Sequence, residues 1–160
     1  MEIYVLFGQP GAGKTYIGGI LKKYFGFYLY DGDQDMSQEL KGAIVDETVT
    51  DDLRQEFFNK LIESVGALPH SKIVVTQTFI KEKFRKKFKD IFPKAKFILV
   101  ETDVNIREKR VMMQERFQLP LEKWRKMFSL FEEPKVPYEI INNDVDGEEE
   151  IKKQLQVLLK

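Results

Sequence analysis

Eight consecutive residues near the N-terminus have the types and spacing of a phosphate-binding loop. They read Gly8-Gln9-Pro10-Gly11-Ala12-Gly13-Lys14-Thr15 and match the complete G-x-x-x-x-G-K-[ST] pattern. The glycines allow the backbone to turn tightly and to bring its N–H groups close to a phosphate. We therefore predict that all eight residues contact a bound nucleotide.

Two side chains at the end of this loop could act on a magnesium-bound nucleotide. The Lys14 ammonium can reach the β- and γ-phosphates, and the Thr15 hydroxyl can ligate Mg²⁺. The apolar run 3–7 before the loop and the helix-compatible stretch 16–25 after it predict a strand, a loop and a helix. The helix N-terminus adds unpaired amides and the positive end of the helix dipole. Lys14 is therefore a candidate catalytic residue.

Two acids follow a second predicted strand. Asp31 and Asp33 come directly after the aromatic run 26–30, whose side chains we expect in the core on both faces of a sheet. Ligands of open α/β sheets bind at the carboxyl ends of the strands, so both carboxylates should lie beside the nucleotide. One could hold the waters of the metal while the other accepts the proton of an attacking hydroxyl. The alternative is a solvated Asp-Gly turn.

The rest of the chain alternates strands and helices. We predict strands at 72–76, 96–100 and 138–141, and helices at 51–62, 81–92, 104–116, 121–131 and 147–159. Residues 34–50 should form a loop and a short helix over an acceptor pocket. The alternation predicts an α/β fold with a five-stranded parallel sheet covered on both faces. Gly18 and Gly19 indicate a helix packed closely on the sheet, and the cations of 81–92 should be solvated.

The segment 104–131 is predicted to form a helix, a break and a second helix, which is the arrangement that a lid over phosphates needs. The break lies at 117–120, and we place the lid at about 112–126. Trp124 and Phe128 are four residues apart, and we expect them to pack within the lid. Arg107 and Arg110, one helical turn apart just before it, can face the same side.

Composition limits the other classes of function. The 160 residues fit a single domain, and 26 basic residues balance 26 acidic ones, so no basic field favours a nucleic acid partner. The absence of cysteine excludes disulfides and thiolate metal sites. Neither a signal peptide nor an apolar run near 18 residues is present, so we expect a cytoplasmic protein with no membrane partner. The oligomeric state stays open.

Across nearly its whole length the chain resembles the gluconate kinase and shikimate kinase group of small-molecule P-loop kinases. The resemblance rests on the loop 8–15, the acids 31–33, and the segments 51–54, 78–81 with Arg85, and 110–134. It implies a three-layer P-loop kinase fold with strand order 2-3-1-4-5 and a helical lid. It also implies transfer of the γ-phosphoryl group of ATP to a hydroxyl of a small acceptor, such as a sugar acid.

The resemblance also implies roles for individual residues. Asp31 would be the acid on the magnesium side, Asp33 the base that binds the acceptor, and Arg54 a ligand of the acceptor carboxylate. Arg110 would contact the nucleotide at the base of the lid and act in catalysis. Gln77 and Thr78 would contact the acceptor, and the turn 142–147, with Asn143, would lie near adenine. From the residues alone, Arg54 could equally be a solvated charge.

The positions that would recognise the acceptor depart from both families. Gluconate kinases usually carry Leu-His-Pro after the two acids, where this chain has Asp35-Met36-Ser37. Shikimate kinases carry a glycine triplet where this chain has Gln77-Thr78-Phe79. Two alternatives therefore stay open. One is a nucleoside or nucleotide kinase, which would normally carry more arginines, and the other is a nucleotide-binding module without transfer activity.

Overall fold

A computed structural model describes residues 1–144 and 147–160 of the chain. In that part, five parallel strands form one sheet in the order β2-β3-β1-β4-β5, which confirms the expected topology. The strands are β1 (Glu2–Phe7), β2 (Tyr28–Asp31), β3 (Lys72–Thr76), β4 (Lys96–Glu101) and β5 (Tyr138–Asn142).

Helices connect the strands and cover the sheet. They are α1 (Lys14–Phe25), α2 (Gln38–Asp46), α3 (Asp51–Gly66), α4 (Glu82–Ile91), α5 (Val104–Met113), α6 (Leu121–Leu130) and α7 (Glu148–Leu158), with a short 3-10 helix at Gly32–Asp35. Helix α5 ends three residues before the predicted boundary at Arg116. Among residues 1–144 and 147–160, no helix has the length and apolar character needed to cross a membrane.

The core lies in two layers, one on each face of the sheet. Because side chains alternate along a strand, Val5 and Phe7 of β1 face one layer while Leu6 faces the other. The first layer includes Phe58 of α3 and Phe88 of α4. The second layer is completed from α1 and α7 by Ile17, Leu21, Ile151 and Leu155. The three-layer α/β/α architecture is therefore confirmed.

The sheet edges differ from the prediction. Tyr28, expected in the core, is 39% exposed and stacks on His70 with 4.0 Å between ring centroids. At the opposite edge, Ile140 of β5 is 47% exposed. Strands β2 and β5 are the two edge strands of the sheet, and each pairs with one neighbour. The aromatic pattern predicts a strand but does not tell whether the strand is central.

Helix α1 packs closely on the sheet at one of its two glycines. A Cβ atom added at Gly18 would lie 2.6 Å from Cδ1 of Leu29 and 3.3 Å from Cγ2 of Thr76. A Cβ atom at Gly19 would meet nothing within 4 Å. The prediction of close packing is confirmed for Gly18 and wrong for Gly19, whose side of the helix faces away from the sheet.

Candidate active site

The glycine-rich loop joins β1 to α1 in a conformation that requires glycine. Gly11 and Gly13 have φ angles of 80° and 95°, and a Cβ atom on Gly11 would lie 2.7 Å from the carbonyl oxygen of Arg107. Gly13 occupies the N-cap position of α1 and has no side chain to bind the first N–H groups of the helix. These N–H groups are therefore left for an anion.

The Lys14 ammonium lies against the loop and close to both acids. Its Nζ donates hydrogen bonds to the carbonyl oxygens of Gly8 and Gln9, each at 2.9 Å. Burial lowers the pKa of Lys14 to about 8, although Asp33 and Asp31 act in the opposite direction. Thr15, the next residue, is exposed in the first turn of α1. The structure thus brings Lys14 together with the two acids predicted from sequence.

The two acids lie in different environments. Asp31 ends β2, and its Oδ2 accepts hydrogen bonds from both terminal nitrogens of Arg116 at 3.0 Å. Asp33 is 3.9 Å from the same guanidinium. Burial and the charge of Asp31 raise the pKa of Asp33, although Lys14 and Arg116 lower it. The sequence placed Arg116 in the lid but gave no sign of its pairing with Asp31.

Arg110 and Asn143 hold the loop from its carbonyl side. Arg110 Nη1 donates to the carbonyl oxygens of Gly11 and Ala12 at 3.2 Å each. Asn143 is only 3% exposed, and its Nδ2 donates to the Ala12 oxygen at 2.8 Å. Both side chains therefore position the loop backbone, and their contact with a nucleotide stays a prediction. Of the turn 142–147 predicted near adenine, residues 145 and 146 lie outside the described residues.

The predicted lid, residues 112–126, contacts α2 through a hydrogen bond from Lys123 to the Val45 carbonyl oxygen, and α6 continues beyond the lid to contact the loop. Gln9 Nε2 donates to the carbonyl oxygen of Phe128 in α6 at 3.0 Å. Trp124 and Phe128 belong to one apolar cluster with Val111 and Leu119, as expected of packing within the lid. Three residues of the predicted lid, Leu119, Lys123 and Lys126, also line the cavity next to the site.

A cavity of about 570 Å³ lies between α2, α3, the loop after β3, and α6. Three of the four residues predicted to bind an acceptor line it, namely Arg54, Gln77 and Thr78. The fourth, Asp33, is not among the lining residues, but its Oδ1 accepts a hydrogen bond from Gln77 Nε2 at 3.3 Å. Gln77 Oε1 in turn accepts from the Thr78 amide at 2.7 Å. The base candidate and the cavity are therefore neighbours.

Arg85 shapes the loop at the back of this cavity. It was expected on a solvated face, but it is fully buried at 0% exposure, and this prediction is wrong. Its Nε donates to the Phe79 carbonyl oxygen at 2.7 Å and its Nη2 to that of Ile80 at 3.2 Å. Phe79 has a φ of 50°, uncommon for a bulky residue. The guanidinium lies 4.6 Å from the ring centroid of Phe131. The hydrogen bonds to backbone carbonyls and the carboxylate of Glu82, 3.6 Å from Nη1, offset the cost of its burial.

Comparisons with known proteins support the fold. No protein-family model matches the chain, and no curated protein matches it. A sugar kinase structure from Janibacter is 19% identical with a TM-score of 0.80, covering 99% of this chain and 94% of that one. A gluconokinase from Sinorhizobium meliloti is 18% identical with a TM-score of 0.75 over 99% and 95% of the two chains.

A shikimate kinase from Acinetobacter baumannii, solved with shikimate, is 18% identical with a TM-score of 0.67 over 99% and 92% of the chains. At these identities the similarity establishes the fold. The chain therefore has the fold of the small-molecule P-loop kinases that its sequence resembles.

Proposed function

We propose that this protein is an ATP- and Mg²⁺-dependent kinase that phosphorylates a hydroxyl group of a small acceptor. One observation carries the proposal. The Lys14 ammonium lies near Asp31 and Asp33 at the carboxyl edge of the sheet, and Asp33 is hydrogen-bonded to a residue that lines a cavity. The sequence resemblance makes a sugar acid the first class of acceptor to test.

The loop supplies the groups that phosphoryl transfer requires. Backbone N–H groups of the loop and of the first turn of α1 would bind the phosphates of ATP, with Lys14 opposing the charge on the β- and γ-phosphates. Arg110 and Asn143 would hold the loop carbonyls so that its amides face the ligand. Most of the stabilisation would come from these fixed donors.

Asp33 would act as the base. A new bond forms between the acceptor oxygen and the γ-phosphorus while the bond to the oxygen of ADP breaks, and the hydroxyl proton passes to Asp33. The raised pKa of Asp33 favours acceptance of that proton. Arg54, Gln77 and Thr78 would orient the acceptor, since they line the cavity next to Asp33.

The donor set fits Mg²⁺. The Thr15 hydroxyl and the Asp31 carboxylate are hard oxygen ligands, and Mg²⁺ usually takes one or two protein ligands together with phosphates. Among residues 1–144 and 147–160, no three His, Cys, Asp or Glu side chains form a group that could bind a metal without the phosphates. When bound, the cation would neutralise charge on the phosphates. The exposed pair of Asp31 with Arg116 contributes at most about 1 kcal/mol and would yield to it.

ADP formation across a panel of sugar acids, polyols, nucleosides and hydroxylated aromatic acids tests the proposal. We expect turnover by the wild type and a loss of at least about 100-fold in Lys14→Ala. Lys22→Ala is the matched control, because Lys22 is exposed on the same helix. Full activity in Lys14→Ala would refute the assigned roles. ATP binding without ADP formation would indicate a binding module, and competition by nucleoside monophosphates would indicate a nucleotide kinase.

A further inference from the structure

The cavity beside Gln77 is walled mainly by hydrocarbon. Its volume of about 570 Å³ is in the range of sites for small organic molecules. Apolar side chains come from every element around it and include Met36, Leu40, Phe57, Phe79, Leu119 and Met127. Leu40, Phe79 and Leu119 are buried, so this wall is a packed part of the fold.

We infer that the acceptor is a hydroxylated organic acid with a mainly apolar body, such as a hydroxymethyl-substituted aromatic acid, and not a polyhydroxylated sugar acid. The inference rests on the proposed function, because it takes the cavity next to Asp33 as the acceptor site. It changes the class of acceptor from the one that the resemblance names.

The cavity wall has few neutral polar side chains that could form hydrogen bonds with the hydroxyl groups of an acceptor. Among the described lining residues, the neutral polar side chains are Gln77, Thr78 and Ser129. Both ends of the Gln77 amide are already engaged, by Asp33 and by the Thr78 N–H. The Ser129 hydroxyl donates to the carbonyl oxygen of Lys126 at 2.6 Å. A sugar acid carries more hydroxyl groups than these neutral side chains can pair, and each hydroxyl group buried without a partner would lower affinity by roughly tenfold.

The charged side chains of the cavity wall favour an acceptor that carries a carboxylate. They comprise Arg54, Lys81, Lys123 and Lys126 against the single carboxylate of Glu47. Glu47 is paired with Lys126 at 3.4 Å. The half-buried Arg54 is 4.0 Å from the exposed carboxylate of Asp51, and Lys81 has no ion-pair partner within the part of the chain that the structure describes. An acceptor carboxylate would compensate these two cations.

Calorimetric titration with a non-hydrolysable ATP analogue present separates the candidate acceptors. The panel is 4-(hydroxymethyl)phenylacetate, its primary amide, gluconate, shikimate and adenosine. We expect the aromatic acid to bind about 100-fold more tightly than gluconate and about tenfold more tightly than its amide. Arg54→Met should weaken the aromatic acid by about 10- to 100-fold, and Lys60→Met, an exposed cation on the same helix, should not.

A substitution in the apolar wall gives an independent readout. Met127→Gln keeps a similar side-chain size and should weaken the aromatic acid by about tenfold without weakening gluconate. Tighter binding of gluconate, shikimate or adenosine than of the aromatic acid would overturn the inference and leave the proposed function standing. Binding of every compound weaker than about 1 mM would overturn it as well. The proposed function itself fails if Lys14→Ala binds the ATP analogue as tightly as the wild type.

Discussion

Two carboxylates separated by one glycine have different surroundings, and this difference assigns them different tasks. Asp31 is held by the exposed Arg116, while Asp33 is hydrogen-bonded to Gln77 and has a raised pKa. We expect Asp33→Asn to lower kcat by about 10²- to 10⁴-fold with little change in the KM for ATP. Asp31→Asn should instead raise the Mg²⁺ concentration required for half-maximal rate. Equal effects of both variants on kcat at saturating Mg²⁺ would contradict this division.

The lowered pKa of Lys14 makes nucleotide binding depend on pH. In the free protein Lys14 loses its proton as the pH rises through about 8, and contact with phosphates would restore the pKa toward its ordinary 10.5. Nucleotide binding should therefore be accompanied by proton uptake at pH values between about 8 and 10.5. At pH 8 the uptake should be about half a proton per nucleotide. Calorimetry in buffers of different ionisation enthalpy measures this uptake. Lys14→Arg should abolish it because arginine stays protonated, and unchanged uptake in that variant would exclude Lys14 as its source.

At the level of residues, the sequence predicted those groups whose role follows from a local pattern. The loop 8–15 and the acids 31 and 33 needed only their own spacing and the strand before them. Arg85 could not be predicted, because nothing in a basic helix tells which cation turns inward to bind backbone carbonyls. The partner of Arg116 depends on how the lid folds over β2, a long-range contact that no local pattern encodes.

The contact of α1 with the sheet gives a test at the scale of one element. Gly18 faces Leu29 and Thr76, while Gly19 faces open space. Valine at either position has the same intrinsic effect on the helix, so the difference between the two variants measures packing alone. Gly18→Val should be less stable than Gly19→Val by about 1–3 kcal/mol in the free energy of unfolding. Denaturant unfolding measures both, and equal stabilities would mean that α1 does not lie as described.

Elements with a strong apolar pattern were predicted best. Strands β1, β3 and β4 are buried runs that hydrophobicity alone identifies. Strand β2 was predicted with the right type and the wrong burial at Tyr28, because the position of a strand within a sheet depends on its pairing partners. Of the cavity lining, Arg54, Gln77 and Thr78 were predicted, but the apolar part was not, since it combines four separate segments of the chain.

For the whole molecule, the lid should respond to ligands as a unit. Residues 112–126 carry Arg116, which bonds to Asp31, and they form part of the apolar cluster around Trp124. We expect amide hydrogen exchange in this segment to slow when Mg²⁺ and a non-hydrolysable ATP analogue bind. Protection confined to residues 8–15 would show that this segment is not a lid.

The most direct test of the central claim is a crystal structure with Mg²⁺ and a non-hydrolysable ATP analogue. We expect phosphate oxygens within about 3 Å of Lys14 Nζ and of backbone amides in the loop 8–15, with the Asp33 carboxylate facing the terminal phosphate and the cavity beside Gln77. A loop without phosphate, or Asp33 directed into a different cavity, would contradict it.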